Sequence, residues 1–273
     1  MWKWNDGSDY LIHHGVKGQK WGVRNGPPYP LENVRNRLVG YKSLDDIPTY
    51  DTRWSTEEHC KVVNPKYGSP GYTHNCLNCV TALEMRERGF AVQANSCDDS
   101  VDVESIEKIF KVDNMLTNDN YWADTQNPIS NKVDKSLPDS DKSDAIIREM
   151  LLSMPRGSRM VMGSQYTLDG NSEMDGHIVY LTRPSSISST NSKIAEMLEN
   201  YLAYRVDLYD PQDGSHVSID LRNGTQDLKK NWTSDKEPYY TFILRVDNLE
   251  LRPENLDSIV ENVPADIIEK RGG

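Results

Sequence analysis

Apolar residues recur at helical spacing most clearly between positions 75 and 89, where Leu77, Val80, Ala82 and Leu83 line one side of the run NCLNCVTALEMRERG. Asn75 is placed to cap this helix, its side-chain oxygen accepting from an amide one turn in. Arg86 and Arg88 suit the negative end of the helix dipole, and Gly89 suits the residue just past the end. A second helix is expected over Ser143–Met154, with Ile146, Ile147, Met150 and Leu151 as its buried face and Pro155 as its stop. Shorter helices are expected over Leu31–Val39, Val103–Phe110, Ile194–Tyr201 and near Leu256–Val260. Strand-like alternation marks Phe90–Ala94, Ser158–Met162, His177–Thr182, Tyr204–Asp210, a hairpin partner carrying Val217, Ile219 and Leu221, and Tyr239–Leu244. Gly170–Gly176 reads as a turn, residues 51–75 as a polar loop with forced turns, and residues 114–142 as a long loop.

A helix followed by several antiparallel strands is an α+β order. The chain divides on composition into an extended arm (1–50), a central domain (51–252) and an acidic tail (253–273). At 36% hydrophobic and 27% charged residues over 273 positions, a core is affordable but lean. Phe is scarce (3) while Tyr (14) and Trp (6) are plentiful, so buried aromatics must often find a polar partner. The formal net charge of -11 argues against non-specific nucleic-acid binding. No segment has the length to span a bilayer, and the start, MWKWND, lacks the apolar run of a signal peptide. The Asn223 and Asn231 glycosylation patterns are accordingly read as chance matches.

Four cysteines, Cys60, Cys76, Cys79 and Cys97, are too few for a disulfide scaffold and point to reduced thiols. Cys76-x-x-Cys79 has no second pair at zinc-finger spacing, so no metal is expected, and no organic cofactor is implied. A thiol at Cys76 would face free amides and the positive end of the dipole, an environment that lowers a thiol pKa. On this stretch alone, Cys76 and Cys79 are equally readable as small buried residues of a core helix.

Three polar residues fall at element ends. Cys76 opens the helix, His177 opens a strand and Asp210 closes the next. A nucleophile needs a base and the base an orienter, and the order Cys, His, Asp is that of papain-like enzymes. His177 would take the thiol proton, and Asp210 would fix the imidazole tautomer. Oxyanion donors would be amides of the helix start, helped by Asn75 or Gln212. His59, His74 and His216 are rival bases, and Asp210-Pro211-Gln212-Asp213-Gly214 is a good turn in its own right.

Two resemblances follow from particular residues. His13–Arg24, HHGVKGQKWGVR, resembles a short motif of structural and head-associated proteins of tailed bacteriophages. Asn75-Cys76-x-x-Cys79-Val80-x-Ala82 with Arg86-x-Arg88-Gly89, then Gly176-His177-Ile178-Val179, Val206-Asp207-x-x-Asp210-Pro211-Gln212-x-Gly214 and Arg245-Val246-Asp247, resembles the papain-fold toxin domain, also described as glutamine deamidase-like. This second likeness covers roughly residues 60–250. It implies a papain-like fold, with a nucleophile helix packed on a small antiparallel sheet. It implies Cys76 as nucleophile, His177 as base, Asp210 as orienter and Gln212 as a site neighbour, with Cys79 the alternative nucleophile.

The activity so implied is deamidation of a glutamine in a protein of a bacterial host. Cleavage of a peptide or isopeptide bond by the same triad is the alternative. A third reading, of a different class, is an inert virion structural or accessory protein. The implied setting is a phage virion or the host cytoplasm, with residues 1–50 docking to head or portal-associated proteins and an immunity protein as a further partner.

Overall fold

The computed structural model describes residues 43–49, 54–97, 103–112, 122–124, 139–167, 174–185, 192–232 and 238–263. The HHGVKGQKWGVR motif, the helix expected over Leu31–Val39 and the final Arg271-Gly272-Gly273 lie outside them. The chain divides into two units, one of residues 1–111, 210–215 and 250–273, the other of residues 112–209 and 216–249. The architecture is α+β with antiparallel sheets. Among the described residues, no helix is long and apolar enough to cross a membrane.

In the first unit, α1 (Thr56–Cys60) lies where only a loop was expected. Its signal was in the sequence: Ser55 and Glu58 form a capping box, with Ser55 N–H donating to Glu58 Oε2 at 2.7 Å and Glu58 N–H to Ser55 Oγ at 3.3 Å. The central helix α2 (Cys76–Glu87) is buried from Cys76 to Arg86, on every side rather than along one stripe. Several of its polar residues find partners within the unit. Glu84 pairs with Arg88, and Arg86 donates to the Val92 carbonyl at 2.8 Å and lies over the Trp54 ring. The helix ends as expected. Gly89 takes φ 95°, its N–H reaches the Arg86 carbonyl, and the Phe90 N–H reaches that of Met85.

Beyond Gly89, β1 (Val92–Ala94) pairs antiparallel with β8 (Val260–Asn262). Here the helix expected near Leu256–Val260 does not form. Pro253–Asn255 make a single 3-10 turn, Leu256 and Val260 are fully buried, and β1 offers residues 260–262 an open strand edge. α3 (Val103–Ile109) buries Ile106 and Ile109, and Phe110 bridges to Leu251. Ile47 is buried and Thr49 bridges to Phe90, so packed structure begins before the boundary expected at residue 50.

The second unit is a six-stranded sheet of order β2-β7-β3-β4-β5-β6. Its strands are β2 (Trp122–Asp124), β3 (Arg159–Thr167), β4 (Met174–Thr182), β5 (Arg205–Asp210), β6 (Ser215–Asp220) and β7 (Pro238–Arg245). The helices are α4 (Asp139–Ser153), α5 (Ser192–Leu202) and α6 (Gln226–Trp232). Both β2 and the first turn of α4 fall inside the stretch expected as one long loop. α6 had no sequence signal strong enough to be read. Ile147, Met150 and Leu151 of α4 meet Met160, Met162, Val179, Leu181 and Ile243 of the sheet in one apolar cluster. Gly163 in β3 is a close approach rather than a turn: a Cβ there would lie 2.2 Å from Cε1 of Phe242, its partner on β7.

Candidate active site

Cys76 is the first residue of α2, and no acidic side chain occupies that first turn. The amides at the start of a helix lack intrahelical acceptors, so a thiol here meets donors and the positive end of the dipole. Asn75 precedes it, but not as the expected cap: its side chain makes no cap hydrogen bond to the helix. Its Nδ2 instead donates to the Asn95 carbonyl at 2.9 Å, and its carboxamide exchanges long hydrogen bonds, 3.4 Å each, with that of Asn64. The reason is burial. Asn75 is 0% exposed, and a fully buried carboxamide needs partners for its NH2 as well as its oxygen.

Asn64 is the residue that sequence reasoning missed. Its Nδ2 donates to the Gln212 carbonyl at 2.7 Å and to the Tyr72 carbonyl at 3.0 Å. One buried carboxamide thus fastens the loop before α2, the residue ahead of Cys76 and the 210–214 turn. Only the tertiary fold reveals this; in sequence Asn64 is one more polar residue beside Pro65. The turn itself is as expected. Gln212 N–H donates to Asp210 Oδ1 at 3.0 Å, and Gly214 N–H to the Asp210 carbonyl at 2.8 Å. Gln212 is buried, and its Nε2 has no hydrogen-bond partner among the described residues. A buried NH2 without an acceptor is a donor in waiting.

Cys79, one turn along, is fully enclosed. Burial pushes its thiol well above the ordinary value, and the Cys76 and Asp210 charges push it the same way. Burial likewise raises Cys60, reinforced by Asp210 and Asp213. Burial thus favours the protonated form of both thiols, which counts against Cys79 as the nucleophile.

His177 belongs to the second unit. It does not open its strand, as the sequence suggested, but is the fourth residue of β4, 3% exposed. It alternates onto the face of Val179 and Leu181, as expected. Its neighbours across the sheet are Ser164 on β3 and, beyond that, Thr241 on β7. All three are buried, forming a polar row at the end of an otherwise apolar face. Gly176, expected in a turn, is part of the same strand.

Two of the three rival histidines, His59 and His216, have other contacts. His59 is buried with its Nδ1 2.7 Å from Glu87 Oε1, and His216 stacks on Tyr209 at 4.5 Å between centroids. Cys76, Asn75, Asp210 and Gln212 thus belong to the first unit and His177 to the second. Among the described residues, no group of three or more His, Cys, Asp or Glu side chains is arranged to hold a metal ion.

The Arg245-Val246-Asp247 motif has a structural explanation. Asp247 Oδ1 accepts from the Arg159 N–H at 3.0 Å and from Arg245 Nε at 2.9 Å, tying the end of β7 to the start of β3. Burial pushes the Asp247 carboxyl up, but the Arg245 guanidinium and the Arg159 amide outweigh it and hold it below its ordinary value. A depressed carboxylate stabilises the fold above its unfolded pKa, and that stability is lost as pH falls through the folded value. Asp247→Asn is expected to cost about 1–2 kcal/mol at neutral pH. In urea titrations across pH, the gap to wild type should narrow below about pH 4. A gap independent of pH would contradict this account.

Compared with protein-family models, with curated proteins and with solved structures, the chain matches none.

Proposed function

We propose that the chain is a papain-like cysteine hydrolase that deamidates a glutamine side chain of a protein. The observation that supports it best is the tethering, through Asn64, of the Asp210–Gln212 turn to the residue ahead of a cysteine that opens a buried helix. In this reading His177 takes the Cys76 proton as the sulfur attacks the amide carbon. The tetrahedral oxyanion is met by amides of the α2 start and by the Gln212 NH2. His177 then protonates the departing nitrogen, ammonia leaves and a thioester remains. Water, activated by the same imidazole, hydrolyses the thioester to glutamate and returns the thiol. Asp210 orients the imidazole. Peptide cleavage follows the same steps with a different leaving amine, so the products decide between the two.

The test is incubation of the protein with bacterial host extract and intact-mass analysis of the extract proteins. Deamidation adds about 1 Da to the target at one glutamine. His177→Ala should slow that gain by about 10²–10⁴-fold. Cut fragments in place of the mass gain would make it a protease. No change in any host protein, with Cys76 alkylated no faster than the other cysteines, would reject the hydrolase and favour the inert virion reading. In the phage setting, deleting residues 1–42, which stops short of the packed Ile47 and Thr49, should abolish packaging while sparing the chemistry.

A further inference from the structure

The proposed hydrolysis uses one of the two cysteines in α2 and leaves the other without a role. Cys76 and Cys79 are the first and fourth residues of this helix, and both are buried. Residues three apart in an α-helix have Cα atoms about 5 Å apart, from a rise of 1.5 Å and 100° per residue. That falls within the range of about 4.4–6.8 Å that a disulfide spans. In mid-helix such a pair rarely closes, because the preceding turn restricts the side-chain rotamers. Cys76 has no preceding turn. The Cys79 side chain, tilted toward the helix start like any helical side chain, leans toward it. Among the charges acting on Cys79, that of Cys76 is the largest, which agrees with their being neighbours.

We infer that Cys76 and Cys79 form a reversible oxidation site, closing to an intrahelical disulfide when a hydroperoxide oxidises Cys76. In the first step the Cys76 thiolate attacks a peroxide oxygen. An S–O bond forms, the O–O bond breaks, hydroxide leaves, and the sulfur is oxidised to a sulfenic acid as the peroxide is reduced. In the second step the Cys79 sulfur attacks the Cys76 sulfur. The S–S bond forms, the S–O bond breaks, and the departing hydroxyl takes the Cys79 proton as water. Two thiols and one hydrogen peroxide give one disulfide and two waters. Cys79 serves as the resolving thiol. Enclosed in the core, Cys79 reaches only a partner within the same turn. The site does not depend on the hydrolase reading. If that reading also holds, oxidation switches the nucleophile off and a dithiol restores it.

The experiment treats the full reduced chain with hydrogen peroxide, blocks remaining thiols by alkylation and maps the product by peptide mass. The expected result is loss of two hydrogens within the peptide holding both cysteines, reversed by dithiothreitol. Cys60 and Cys97 should remain alkylated. In Cys79→Ser the disulfide should be replaced by sulfinate or sulfonate on Cys76 that dithiothreitol does not reverse. The same measurement on His177→Ala separates the two proposals: a disulfide there upholds the oxidation site whatever becomes of catalysis. The inference is overturned if wild-type Cys76 pairs with Cys60 or Cys97. It is equally overturned if Cys76 oxidises to sulfinate while Cys79 stays a free thiol, or if the pair stays reduced while other residues oxidise.

Discussion

Cys76→Ala is expected to abolish deamidation while leaving the protein folded, and Cys79→Ala to lower stability while largely sparing deamidation. Removing a single sulfur from the start of a helix deletes a few contacts and costs about 1 kcal/mol or less. Removing the nucleophile deletes the chemistry, on the order of 10⁶-fold in turnover. Cys79 is 0% exposed, in the middle of the first unit's core. Its truncation leaves a small cavity worth about 1–2 kcal/mol but should keep turnover within about tenfold of wild type. Turnover and the urea midpoint, measured on both variants, separate the roles. Loss of turnover in Cys79→Ala with turnover retained in Cys76→Ala would transfer the nucleophile to Cys79.

The largest stability effect is expected at Arg183, which is 5% exposed at the end of β4. Its Nη1 donates to the carbonyls of Leu152 at 2.6 Å and Met154 at 2.9 Å, and its Nη2 to that of Ala203 at 2.7 Å. These carbonyls belong to the C-terminal turn of α4 and the residue after α5, where the helices themselves supply no partners. A cation there also meets the negative end of the α4 dipole. Burial lowers the Arg183 pKa, and Arg156 adds to this, yet a guanidinium stays charged in proteins. Methionine would fill the volume and donate nothing, leaving buried carbonyls unpaired at about 1–3 kcal/mol each. Arg183→Met should therefore lose about 3–5 kcal/mol, seen as a lower urea midpoint at an unchanged slope. Lysine, with one donor head in place of a fork, should fall between. A loss below about 1 kcal/mol would show that water replaces the guanidinium.

Neither Arg183 nor Asn64 announces itself in the sequence, and the reason is common to both. Each serves backbone carbonyls distant along the chain, and a carbonyl carries no residue identity. α2 was legible because its information is local: a 3.6-residue period, arginines in the last turn and a glycine after it. The strand of His177 was legible by alternation, although its start was not, since Met174 and Asp175 look like turn residues until β3 pairs with them. β2 and β8 are three residues each, too short for a period to show. The role expected of Asn75 was wrong because capping preferences describe half-exposed helix ends, and this end is fully buried. The polar row of Ser164 and Thr241 beside His177 needs the register of three strands, which no window of sequence contains.

The first unit is assembled from three separate stretches of chain, the last of which supplies Leu251, Leu256 and the β8 strand. A ribosome delivers residues in order, so α2 emerges long before the strand that covers the edge of β1. Synthesis must pass residue 262 before the edge of β1 can be covered. A cell making this protein would therefore carry nascent chains whose cysteine helix is already translated while β8 is not. The first unit is complete only once that strand has emerged.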